Sequence, residues 1–168
     1  MSIKKITRLG VMLAMVIALS ILENMLPPLP LLPPNVKPGL SNIITMYCVF
    51  FTGRTQALSL NVLKSFFVFL TRGPVAGLLS LCGGMLSVCV VILLVVIFKE
   101  KISYAAVSVL GACAHNLGQY AAVSAVMVSP GLWAYYLPAL LISGVVMGTL
   151  TGALLKAALP VLGKVFGK

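Results

Sequence analysis

Polar side chains are scarce in this chain, and those that fall inside its apolar runs are the ones with chemistry to offer. Asn61 and Lys64 stand three positions apart in the run from Thr55 to Leu70, which puts both on one face of a helix. A lysine at that depth must stretch to the headgroups, pair with a carboxylate, or face a cavity where its ammonium meets an anionic substrate group. Glu23, one of only two acids in the chain, sits beside Asn24 at the end of the first apolar run and is a candidate partner for Lys64 or for Lys37. A second cluster lies in the string GACAHNLGQY. His115, Asn116 and Gln119 share one helical sector there, and Gly111, Ala112, Gly118 and Ala121 leave room beside them. Two readings stand for that cluster: hydrogen bonds between helices, worth about 0.6 to 2 kcal/mol each in a membrane, or a strip facing a ligand. With Asn42 and Lys37 from the preceding loop, these residues form the candidate substrate-binding set.

Catalysis finds little support. The chain contains no aspartate, so it lacks the carboxylate clusters that hold Mg²⁺ against a diphosphate. No G-x-x-x-x-G-K-[ST] loop is present, so any coupling to ATP must come from a partner. A single histidine without neighbouring ligands argues against a metal site. The expectation is a non-enzyme with no catalytic residue and no cofactor. Cys48, Cys82, Cys89 and Cys113 have no C-x-x-C spacing and read as small buried thiols.

The elements that position these residues are helices in a bilayer. With 61% hydrophobic and 8% charged residues and a mean hydropathy of +1.15, the chain could not cover a water-soluble surface. Apolar runs of about 20 residues fit helices crossing a ~30 Å layer, and no ten-residue alternation suggests a barrel. The runs near 6–26, 40–52, 55–70, 75–98, 104–128 and 133–159 predict one integral membrane domain, residues 1–168, built as an all-α bundle of six transmembrane helices. Pro160 is expected to stop the last. The second run is too short to span straight and reads as a broken span.

The net charge of +10 forms no patch for nucleic acid, because the cations punctuate the apolar runs. Lys4, Lys5, Arg8, Arg54, Lys99, Lys101, Lys156, Lys164 and Lys168 all fall on one side if the N-terminus is cytoplasmic. That bias favours an even number of spans with both termini inside. The first run ends in Glu23 and prolines without a cleavage site and reads as a retained helix.

Two kinds of small-residue row appear. Gly144, Gly148 and Gly152 predict close helix packing. Gly10, Ala14 and Ala18 line one face of the first helix, either for packing in its own bundle or as a docking stripe for another membrane subunit. Between the first helix and the rest lies the insert Pro27 to Asn42, which holds six of the ten prolines and cannot be helical. It reads as a stiff outer lid, cheap to order over a cavity, with a plain connector as the alternative.

The strings Lys37-Pro38-Gly39-Leu40-Ser41-Asn42, SLCGG at Ser80 to Gly84, and GACAHNLGQ at Gly111 to Gln119 resemble the bacterial membrane proteins of the heptaprenyl diphosphate synthase component I, or Gx transporter, family. That family is similar to the S components of energy-coupling-factor (ECF) vitamin importers. The resemblance implies six spans, a ligand-closing loop after the first helix, and an A-x-x-x-A docking motif matched here by Ala14 and Ala18. It also implies a small vitamin-like or quinone- or prenyl-related ligand, and partners comprising a T subunit and two ATPases in a bacterial cytoplasmic membrane. The alternative it leaves open is a non-transporting membrane subunit of a quinone-synthesis or electron-transfer assembly.

Overall fold

A computed structural model describes residues 3–27, 39–126 and 133–166, with the backbone alone at 100, 126 and 133–135. All regular structure in the described residues is helical. The order is α1 (Ile3–Met25), α2 (Leu40–Phe51), α3 (Arg54–Arg72), α4 (Pro74–Phe98), a 3-10 turn at Lys99–Lys101, α5 (Tyr104–Val126) and α6 (Trp133–Phe166). The breaks follow the local chemistry. α1 ends just before Pro27, and α3 gives way to α4 at Gly73, whose φ of 88° suits glycine, followed by Pro74 at the first position of α4.

Three of the described helical stretches, Ile3–Met25, Pro74–Phe98 and Tyr136–Phe166, are long and apolar enough to cross a membrane. This is a membrane protein. α3 and α5 are less apolar because they carry Asn61, Lys64, His115, Asn116 and Gln119, and α2 has only 12 residues.

α2, short as expected at 12 residues, is the centre of the molecule. Eight of its 12 residues are buried, so neighbouring helices, not lipid, cover it nearly all round. Tyr47 and Cys48 sit in a core with Met12 and Val16 of α1, Leu60 of α3, and Leu155 and Leu162 of α6. α4 packs between α3 and α5, and α5 lies against α6.

The glycine row on α6 makes the close approach its spacing predicts. A Cβ on Gly148 would lie 2.5 Å from the Cα of Val109, and one on Gly152 would lie 2.9 Å from the Cα of Ala105. α6 itself does not stop at Pro160. It continues to Phe166 because its last turns are held from outside the helix. Leu162 and Phe166 are buried, the Tyr47 hydroxyl donates to the Leu162 carbonyl at 3.4 Å, and Arg8 Nη2 donates to the Phe166 carbonyl at 3.0 Å. These contacts outweigh the one backbone donor that Pro160 lacks.

Arg8 to Phe166 and the ring contact of Phe50 with Tyr104, 5.0 Å between centroids, gather the start of α1, the end of α2, the start of α5 and the end of α6 at one end of the bundle. Most of the basic residues lie there. Of the four free cysteines, Cys48 is buried and Cys89 is exposed on α4, so the expectation of buried thiols fails at Cys89.

Candidate functional site

Away from the basic end the bundle opens into a cavity of about 450 Å³ to which all six helices contribute. Seven of the eight candidate substrate-binding residues line it: Glu23, Asn42, Asn61, Lys64, His115, Asn116 and Gln119. The eighth, Lys37, and the lid expected from Pro28 to Pro38 lie outside the described residues.

The cavity exists because α4 carries no side chain where α3 and α5 reach across it. A Cβ on Gly84 would collide with the Asn61 amide, and one on Gly83 would lie 2.7 Å from Gln119 Cγ and 3.2 Å from His115 Cε1. The Gly83–Gly84 pair is thus a notch that admits polar side chains from both flanking helices. Gly118 does the reciprocal service on α5, where a Cβ would stand 2.6 Å from the Cys82 carbonyl oxygen.

Glu23 acts on Lys64 only through its charge and makes no direct ion pair with it. Its two carboxylate oxygens accept from the Leu40 backbone N–H and, at 3.0 Å, from the Ser41 hydroxyl, so it caps the first turn of α2 across the chain. The reason is local. α2 begins after Gly39, whose φ of 72° suits glycine and which has no side chain to cap the helix, and its free N–H groups attract an anion. The Lys64 ammonium instead donates to Asn42 Oδ1 at 3.0 Å and is 8% exposed, which rules out a lysine reaching for the headgroups.

The cluster on α5 divides. Asn116 Nδ2 donates to the Leu140 carbonyl at 2.8 Å and approaches Ser143 Oγ at 3.4 Å, so that amide ties α5 to α6. His115 Nδ1 is buried without a hydrogen-bond partner, and so are Asn61 Nδ2 and Ser108 Oγ, all three on cavity-lining residues. Such groups are costly in a low-dielectric interior unless something fills the space beside them. No group of three or more His, Cys, Asp or Glu side chains gathers among the described residues.

Sequence reasoning missed the hydroxyl residues. Ser41 completes the Glu23 cap, Ser87 donates to the Gly111 carbonyl at 2.8 Å, Ser65 and Ser80 meet at 3.2 Å, and Ser108 sits at the deep end of the cavity. Serines are common in apolar helices, so spacing alone does not single these out.

A family model described as heptaprenyl diphosphate synthase component I matches residues 12–158. The chain belongs to that family. The match runs from α1 into α6 and so includes the whole cavity. No curated protein and no solved structure matches the chain. The family description points to a component that works with other subunits at a membrane.

The outward face of α1 is open. Gly10, Ala14 and Ala18 are exposed, and no atom lies within 4 Å of a Cβ built on Gly10. The row is therefore not used for packing inside this bundle.

Proposed function

We propose that this chain is a membrane-embedded substrate-binding subunit, the S component of an importer of the energy-coupling-factor type, and that it is not itself an enzyme. The observation that carries the reading is the convergence of scattered polar residues from α1, α2, α3 and α5 on one cavity whose buried polar atoms are partly unmatched. Small-molecule sites are concave and set polar groups among apolar surface to fix a ligand's orientation, and this cavity mixes the two. In this reading all six helices belong to the membrane domain, α2 being shielded from lipid by the others. The basic end faces the cytoplasm of a bacterial cell, with both termini there, because its Lys and Arg residues follow the positive-inside bias. The exposed Gly10, Ala14 and Ala18 face takes a T subunit, and two ATPases supply the energy.

The lack of catalysis rests on the chain's own chemistry. One of its two acids, Glu23, is committed to the start of α2, and there is no aspartate to hold Mg²⁺.

The test is mass spectrometry of the full-length chain purified from its own membranes. A retained small molecule that disappears in Gly84→Leu, where the new side chain displaces the Asn61 amide into the cavity, supports a binding subunit. A chain that carries no small molecule in any preparation overturns it.

The family description favours a second reading, a non-transporting membrane subunit of a prenyl-diphosphate or quinone-synthesis assembly. It predicts co-purification with a catalytic subunit in place of ATPases. Its assembly activity would be indifferent to Gly84→Leu.

A further inference from the structure

Lys64 presents an ammonium inside the bundle that makes no direct ion pair, the charge of Glu23 acting on it only from across the cavity. Its Nζ lies in the cavity wall and the residue is 8% exposed. Among the described residues its hydrogen-bond partner is the neutral Asn42 Oδ1, and no carboxylate stands within ion-pair distance. Glu23, the acid on the same cavity, has both oxygens engaged by the first turn of α2. An ammonium has three N–H donors, so two remain for something else in the cavity. A buried ammonium held by one neutral acceptor and a distant carboxylate is poorly compensated, and an anion entering the cavity relieves it.

The other unmatched groups add to the specification. Asn61 is 3% exposed and its Nδ2 has no acceptor, and Ser108 is 2% exposed with its hydroxyl unpartnered. Asn61 lies one helical turn before Lys64 on α3, and Ser108 of α5 lines the same cavity, as do Val88 and Val91 of α4. Between these polar groups the wall carries apolar side chains, among them Met46, Val49, Leu79 and Met147. The supply of positive charge is small. Arg72, the other cation on the cavity, stands eight residues along α3, roughly 12 Å from Lys64, at the exposed rim. A diphosphate needs several cations or a carboxylate-held metal close together, and neither is present at Lys64.

We infer that the cavity takes a small monoanion with a single acid group seated on the Lys64 ammonium, an apolar body, and acceptor atoms reaching Asn61 and Ser108. This rests on the small-molecule reading above and narrows it, because it excludes the diphosphate chemistry named in the family description as the occupant of this cavity.

The experiment extracts and identifies the small molecules retained by the full-length chain from its own membranes, for the native sequence, Lys64→Met and Lys64→Arg. The expected result is a molecule with one ionisable acid, reduced at least about tenfold in occupancy by Lys64→Met and largely kept by Lys64→Arg, as the loss of one charge-assisted bond implies. A retained molecule that is neutral, cationic or a diphosphate overturns the inference and leaves the small-molecule reading intact. So does a monoanion equally abundant in Lys64→Met. No retained molecule in any of the three overturns both. Thermal melting of washed, ligand-free protein guards against a folding artefact. Lys64→Met should melt close to the native chain, since the ammonium it removes makes no direct ion pair, and melting well below it makes the Lys64–Asn42 bond structural and overturns the inference.

Discussion

The two ends of this bundle are built from the same helices and behave as opposites. At the basic end, Tyr47, Leu60, Leu155, Leu162 and Phe166 close the space between helices. At the other end the helices enclose a hollow rimmed by Glu23, Arg72 and Tyr136. The difference teaches that glycine has two uses in one membrane fold. On α6 it removes side chains so that backbones touch, and on α4 it removes them so that amide and imidazole groups from neighbours fit.

The sharpest way to break the contrast is to fill each kind of glycine. Gly148→Leu drives a side chain into the Val109 backbone, which cannot give way, so α5 and α6 must separate. The expected loss is about 3 kcal/mol or more, seen as collapse of folded yield in detergent. Gly10→Leu, with open space around it, leaves yield and melting unchanged.

Next in size is Leu60→Ala in the closed half. A fully buried leucine beside α2 is expected to cost about 2 to 5 kcal/mol by chemical denaturation, while small-molecule retention persists in the fraction that stays folded. At the junction of the halves, Glu23→Ala strips the acceptor from the Leu40 N–H and the Ser41 hydroxyl. About 1 to 2 kcal/mol is expected, with faster hydrogen exchange confined to the first turn of α2. Ser108→Ala is the smallest. Its hydroxyl has no partner, so melting should shift by no more than about 0.5 kcal/mol equivalent, yet retention of an acceptor-bearing molecule should fall.

Much of this was legible in the sequence, for a physical reason. A polar group within an apolar helix must be matched, so Asn61, Lys64, His115 and Gln119 were conspicuous and do converge. Helix limits were legible where Gly73 with Pro74, and Pro27, enforce them. Three things were not. Pro160 reads as a stop, because the tertiary contacts of Leu162 and Phe166 that override it are non-local. The direct hydrogen bonds of Glu23 were not legible, because an unsatisfied helix start on α2 draws the carboxylate and leaves no mark at residue 23. Asn116 belonged to helix packing and not to free ligand-binding capacity, a distinction that depends on where the Leu140 carbonyl falls. The lid expected from the proline-rich insert lies in residues outside the described structure.

The continuation of α6 through Pro160 has a consequence for how the fold meets its bilayer. Its 34 residues make a rod of roughly 51 Å, against a hydrocarbon layer of ~30 Å, and even a 40° tilt leaves it too long to be contained. Its last turns rest Leu162 and Phe166 on Tyr47, beside Arg8, at the basic end. A rod longer than the layer leaves turns outside it, so thickening the bilayer should be accommodated by α6 before it strains the 23-residue α1 or the 25-residue α4.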